Sequence, residues 1–328
     1  MTTTSCIVRV LAATALLATS AKAFTVADFS LRDQNNNVLL PGRLSTPPEA
    51  ADSRRPLLVF LHGGGANGTD NFAQLTHLTD GMREAVESRG AYFYIPQTPD
   101  GWGGVTRTGQ VLTMIDRAIN ELNADKDRVY IMGYSNGGGG TWNMLSRYDG
   151  RFAAALALSG VSPGADFVVS RLVDTSILAL HARDDATVSF TTTRNVLDAI
   201  LSAAHEPLPP YLSRRDPTTN LLVANGHLPA QSTLRSLVPL FGPTTETLLV
   251  SPVMDLMYVE TGAGGHTGLY DVFNAPPVYD WLFSHTLAVP EPGALELLLS
   301  SIALIAAPMH CRARRESTGA RKPRLASS

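Results

Sequence analysis

Apolar and polar positions between residues 24 and 289 fall into short apolar runs separated by stretches with helical spacing. Leu57-Leu58-Val59-Phe60-Leu61 is bounded by Pro56 and by glycines from Gly63, the pattern of a strand buried on both faces. Ala91–Ile95, Arg128–Met132, Phe152–Leu158, Ser176–His181 and Met254–Glu260 read as further strands, the last closing the series. Helical spacing appears over Val111–Leu122, from Gly139 to about Arg147, and over Val278–His285. Ahead of them, Phe24–Arg32 and Val38–Leu44 predict an opening strand pair joined by the turn-forming Asn35-Asn36-Asn37. Strands alternating with helices predict an α/β fold, a mostly parallel central sheet with helices on both faces. One stretch breaks the rhythm: residues 205–246 are rich in Pro and Leu without a clean period and are long for a connection. They read either as a lid or substrate-binding insertion or as a surface excursion.

The chain has 328 residues, 44% of them hydrophobic and 17% charged, which supports a sizeable core and excludes wholesale disorder. A net charge of -3 gives no sign of a nucleic-acid partner. The charge is unevenly spread: residues 1–23 carry Arg9 and Lys22 and no acid, and residues 290–328 carry six basic and three acidic side chains. The body between them is therefore more acidic than the whole chain. The only two cysteines, Cys6 and Cys311, fall in the end segments, which leaves residues 24–289 without a disulfide framework, a thiol nucleophile or a thiolate metal site.

Residues 1–23 have one Arg, an apolar stretch from Val10 to Ala18 and Ala21-Lys22-Ala23 before the body, the layout of a secretory signal peptide. An amphipathic first helix is the alternative; it fits less well because the segment has no acidic residues and no apolar period. At the other end Val289-Pro290-Glu291-Pro292-Gly293 precedes the mainly apolar Ala294–Met309 and then Arg312-Ala313-Arg314-Arg315. The apolar stretch is short for a membrane helix, but the positive cluster beyond it suits a cytoplasmic stop. This tripartite tail resembles the PEP-CTERM sorting signal of Gram-negative bacteria. The resemblance implies recognition by an exosortase, transient residence of the C-terminal helix in the membrane, and delivery to the cell surface or extracellular matrix. A plain C-terminal anchor implies the same export.

The sharpest chemical feature is Arg128-Val129-Tyr130-Ile131-Met132-Gly133-Tyr134-Ser135-Asn136-Gly137-Gly138, a strand running into Gly-x-Ser-x-Gly and then a helix. Small residues are needed two positions either side of the serine because the backbone turns sharply between strand and helix. Such a turn exposes a serine hydroxyl at the carboxyl edge of the sheet. A hydroxyl at neutral pH needs a base, and the base needs a carboxylate to hold its tautomer. Ser, Asp, His is the chain order in which this kind of fold supplies them. Asp184 and Asp185 follow the strand ending at His181, with Asp185 favoured and Asp184 as the alternative. His266, in Gly262-Ala263-Gly264-Gly265-His266-Thr267-Gly268 after the last strand, is the expected base, and His227 the rival. Backbone N–H groups for an oxyanion are expected from Asn136 and from Gly64 or Gly65 in His62-Gly63-Gly64-Gly65-Ala66-Asn67-Gly68. The same glycines lack the Lys-Ser/Thr ending of a phosphate-binding loop, and no dinucleotide fingerprint is present.

From Pro56 to His285 these pieces resemble the α/β-hydrolase superfamily. His62-Gly63-Gly64-Gly65, Tyr94-Ile95-Pro96-Gln97, Trp102, the serine motif, Gly140-Thr141-Trp142 and Trp281-Leu282-Phe283-Ser284-His285 are similar to secreted esterases. The groups are the polyhydroxybutyrate depolymerase and feruloyl or acetylxylan esterase type, and the phospholipase/carboxylesterase type. In their pattern His-Gly-x-x-Asp-x-x-Val the acid aligns with Asp185, Ala182 standing where glycine is usual. The resemblance implies ester hydrolysis through an acyl-enzyme without metal or cofactor, with an ester substrate on polysaccharide, polyester or lipid. It also implies that Trp102 and Tyr134 lie near the acyl or alcohol pocket, the alternative being two core aromatics; Trp142 and Trp281 are expected in the core. A peptidase of the same fold and a non-catalytic binding module on a hydrolase scaffold are the competing functions.

Overall fold

The computed structural model describes residues 24–48, 53–205 and 254–287, together with the strand backbones of residues 223–224 and 245–250. The predicted leader at 1–23, the tail at 290–328, His227 and nearly all of the 205–246 stretch lie outside the described residues. Among the described residues no helix is long and apolar enough to cross a membrane.

Six parallel strands form the centre of the sheet: β5 (Arg55–Leu61), β6 (Tyr92–Pro96), β7 (Ala124–Tyr134), β8 (Ala154–Leu158), β9 (Ser176–Ala182) and β12 (Leu256–Thr261). Their spatial order is β6-β5-β7-β8-β9-β12. At one edge β4 (Gly42–Ser45) pairs antiparallel with β6, and β1 (Ala27–Asp28) with β4. At the other, β11 (Thr245–Val250) pairs antiparallel with β12, and β10 (Val223–Ala224) lies parallel to β11. The opening pair exists but is broken in two. Its inner part, β2 (Leu31–Arg32) with β3 (Val38–Leu40), forms a separate ribbon. Asp33 sets the turn by accepting the N–H groups of Asn35 and Asn37 while Asn36 takes φ 67°.

Period-2 alternation assigns the two faces of the sheet. Leu57, Val59 and Leu61 point to one side, with α2 (Val105–Glu121), α3 (Asn136–Arg147) and α4 (Thr191–Ala203) packed over them through residues such as Met114, Trp142 and Leu197. Leu58 and Phe60 point to the other side, under α1 (Asp80–Ser88) and α5 (Pro276–Phe283) through Met82 and Trp281. Each large apolar side chain so buried contributes about 1.5–3 kcal/mol. Trp142 and Trp281 are core residues, as expected.

Several elements extend or replace the sequence reading. Helices α1 and α4 have no counterpart in it. Helix α1 is only nine residues long with three buried positions, and Thr79 caps it by accepting the Met82 N–H; α4 opens on three threonines, weak helix formers. Strand β11 has no counterpart in the sequence reading either. Strand β7 begins at Ala124 rather than Arg128, since its polar start is drawn into the ladder opposite Arg55. Helix α2 starts six residues early at Val105, and α5 stops at Phe283, short of His285.

The topology creates the crevice. From β5 the chain goes to β6 on one side of it and then crosses to β7 on the other, so the carboxyl ends of β5 and β7 are neighbours with diverging connections. Open α/β sheets bind ligands at such a switch point.

Candidate active site

Ser135 sits between β7 and α3 at φ 56° and ψ -115°, a strained conformation for a residue with a side chain. Its N–H donates to Leu158 O and its carbonyl accepts from the N–H groups of Gly139 and Val161, so strain is held by the strand beside it and the helix after it. The flanking glycines are steric requirements. A Cβ on Gly133 would lie 2.1 Å from Gly137 O, and one on Gly137 would lie 1.8 Å from Leu61 O. The serine is thereby raised at the carboxyl edge of the sheet.

The loops after β9 and β12, adjacent strands, bring in the partners. Ser135 Oγ–H donates to His266 Nε2 at 2.8 Å, and His266 Nδ1–H donates to Asp185 Oδ2 at 2.7 Å. The other carboxylate oxygen of Asp185 accepts the N–H groups of Thr187 and Val188 at 2.8 and 2.9 Å. Burial pushes the Asp185 carboxyl up, but the hydrogen bonds from His266, Val188 and Thr187 outweigh it and hold the group below the ordinary carboxylate range. An ionised Asp185 can only accept, which fixes the proton of His266 on Nδ1 and leaves Nε2 free to take the serine's. Beneath it lies buried His181, whose Nε2–H faces Val188 O at 2.9 Å and Asp185 Oδ2 at 3.2 Å, while Nδ1 accepts from Thr193. Burial lowers the pKa of His181 and keeps that ring neutral.

The two carboxylates considered for the acid have different partners. Asp185 faces the imidazole, whereas Asp184 accepts the N–H groups of Gly265 at 2.7 Å and Gly264 at 3.3 Å, on the backbone that carries His266.

The glycine loop after β5 forms a single 3-10 turn, Gly64–Ala66. The first N–H groups of a helical turn have no partner within it, so those of Gly64 and Gly65 stand free of the turn, as that of Asn136 does at the start of α3. Gly63, which the sequence reading carries only as part of the motif, lies against the nucleophile: a Cβ there would lie 2.9 Å from the Tyr134 ring and 3.4 Å from Ser135 Cβ. His62 was also missed except as part of the motif. It is fully buried; its Nδ1–H donates to Gly63 O at 2.8 Å and its Nε2 accepts from Thr98 N at 3.2 Å. Burial drives its pKa down to about 4, so the ring stays neutral and both backbone bonds persist at neutral pH.

Trp102 and Tyr134 occupy different kinds of place. Trp102 is fully buried: its indole N–H donates to His62 O at 3.0 Å and its ring meets the His62 ring edge-on at 5.0 Å. It supports the glycine loop from below, which fits the core reading of the two left open for it. Tyr134 borders the site, its ring 5.1 Å from that of His266 and its hydroxyl donating to His266 O at 3.0 Å. Burial, with Asp185's charge adding, pushes this phenol up to about 12, so it donates as a neutral group.

Residues 40–192 match the family model described as Esterase PHB depolymerase. Acetylxylan esterase A of Emericella nidulans is 35% identical over 71 residues, which is 22% of this chain and 23% of that protein. Among solved structures, a thermostable esterase superposes with a TM-score of 0.56 at 22% identity, covering 80% of this chain and 63% of that one. An acetyl xylan esterase from Aspergillus awamori gives a TM-score of 0.50 at 14% identity, covering 74% and 94%. At these identities the superpositions establish the fold, which is that of the α/β-hydrolases. The chain thus spans about a quarter of the curated relative it matches and under two thirds of the first structural one.

Proposed function

We propose that this protein is an exported serine hydrolase that cleaves carboxylic esters through an acyl-enzyme. The observation that carries the reading is the continuous hydrogen-bonded line from Asp185 through His266 to Ser135. In it, Ser135 Oγ attacks the ester carbonyl as His266 Nε2 takes its proton, and Asp185 stabilises the imidazolium that results. The tetrahedral oxyanion is held by the N–H of Asn136 and by that of Gly64 or Gly65, with no reorganisation needed as charge develops. His266 then returns the proton to the departing alkoxide oxygen. Water, deprotonated by the same imidazole, attacks the acyl-serine and releases the acid, restoring Ser135.

The match to the esterase family and the likeness to an acetylxylan esterase support acylated polysaccharide, polyester or lipid as the substrate class. Export is supported by the layout of residues 1–23, and surface or matrix delivery through exosortase-type processing by residues 290–328.

A fluorophosphonate probe should label the protein once, on Ser135, and the label should vanish in Ser135→Ala. Turnover of p-nitrophenyl acetate, acetylated xylan, a feruloyl ester and a 3-hydroxybutyrate oligomer should exceed that of peptide anilides. A wild-type protein that takes no label and hydrolyses none of these esters ends the proposal. Export has its own check: the protein recovered from the cell surface or medium should begin at Phe24, and retention in the cytoplasm with residues 1–23 attached refutes it.

A further inference from the structure

We propose that Asp184 is a positioning residue that clamps the backbone of the histidine loop and so fixes the direction of the His266 imidazole. The inference rests on the esterase reading above and assigns a task to the carboxylate beside the acid. Asp184 Oδ1 accepts from Gly265 N at 2.7 Å and Oδ2 from Gly264 N at 3.3 Å, so two successive N–H groups converge on one carboxylate. This is the arrangement of a backbone anion nest. It depends on the loop's conformation, because Gly264 and Gly265 have φ values of 143° and 56°. The loop closes on itself through Gly268 N donating to Gly264 O at 2.7 Å, with His266 between.

Beyond the last ladder bond, from Arg183 N to Thr261 O, two neighbouring carboxylates join the β9 loop to the β12 loop. Asp185 holds the imidazole and Asp184 holds the peptide from which it projects. The Tyr134 hydroxyl holds the His266 carbonyl from the other side, and the Asp184 contacts fix the two peptides before it, so the direction of the imidazole is set on both sides. Orientation matters here because His266 must receive a proton from Ser135 and then deliver it to a different oxygen.

Asp184→Ala removes both acceptors, and Asp184→Asn keeps one carbonyl oxygen where the carboxylate had two. With kcat normalised by active-site titration, Asp184→Ala should fall about tenfold to a hundredfold with KM little changed. Asp184→Asn should fall between that and the wild type. Hydrogen exchange at the Gly264 and Gly265 amides should quicken in Asp184→Ala, and the downfield His266 Nδ1–H resonance should broaden. A merely structural role would lower the melting temperature and the titrated fraction while sparing the normalised kcat. Normalised kcat within twofold of wild type, or unchanged exchange at the two glycines, overturns the clamp. Failure of the esterase reading looks different: the wild type takes no fluorophosphonate and turns over no ester, although exchange still quickens in the variant. That result overturns the positioning role along with the reading.

Discussion

Two glycine loops face each other across Ser135, and they are anchored by opposite means. The loop after β5 is held from inside by uncharged groups: the neutral His62 ring, the Thr98 N–H and the Trp102 indole, with His62 and Trp102 fully buried. The loop after β12 is held at the rim by the exposed carboxylate of Asp184 and by the Tyr134 hydroxyl. Burying a charge without full compensation is costly, so a neutral imidazole suits the interior and a carboxylate suits the edge. The tasks differ in the same way. On the proposed mechanism, backbone dipoles for an oxyanion act best when nothing moves, whereas an imidazole that becomes charged during turnover is stabilised by the carboxylate hydrogen-bonded to it.

The largest expected effect breaks the histidine side alone. In Asp185→Asn the side-chain oxygen can still accept the Thr187 and Val188 N–H groups, so the loop should keep its shape. An amide N–H now faces Nδ1, drives the imidazole proton to Nε2 and removes the acceptor for the serine proton. The expected loss in kcat is about ten-thousandfold with KM nearly unchanged. Steady-state kinetics within tenfold of wild type would show that another group orients the base.

The next effect isolates the β5 loop. His62 has its pKa lowered by burial from 6.5 to about 4 in the folded chain. Between these values the unfolded chain takes up a proton that the folded chain refuses. The folded state is therefore fully favoured by this group above pH 6.5 and loses stability as pH falls toward 4, by about 3 kcal/mol. Replacement by a side chain that does not titrate, His62→Gln, should lower stability at pH 7.5 but flatten the acid dependence. Urea unfolding of the two proteins at pH 7.5 and pH 4 should give a gap that narrows by about that amount. A gap independent of pH means that the ring is not buried as a neutral group.

The same contrast explains what could be read from the sequence. The apolar runs at Leu57–Leu61 and Phe152–Leu158 report burial on both faces, and the sheet follows from them. Ser135, Asp185 and His266 were legible because each stands in a local pattern, strand then short polar turn, and the structure brings these three side chains into one hydrogen-bonded line. Anchors were harder to find because they act through tertiary contact. Nothing local tells that the Thr98 N–H meets His62, 36 positions away, or that Asp184 meets Gly265 across 81 positions. Trp102 stays open between two readings in sequence for the same reason: an aromatic beside glycines looks the same whether it lines a cavity or carries a loop. Helices α1 and α4 have other reasons for being hard to read: α1 is short and polar and owes its stability to the sheet it covers, and α4 opens on three threonines, which are weak helix formers.

The smallest effect sharpens the comparison most, because it leaves every charge in place. Tyr134→Phe removes only the hydroxyl that donates to His266 O, and the ring remains against the imidazole. A neutral hydrogen bond of this kind contributes about 1 kcal/mol net. If the histidine loop is held mainly by its carboxylates, kcat should fall no more than about fivefold and the pH profile should keep its shape. A larger fall, combined with a non-additive effect in the Asp184→Ala background, would mean that the two tethers act as one unit. Near-additive losses would instead make the rim loop a set of independent contacts. The β5 loop has no such freedom, because its buried ring serves as donor to one peptide and acceptor for another.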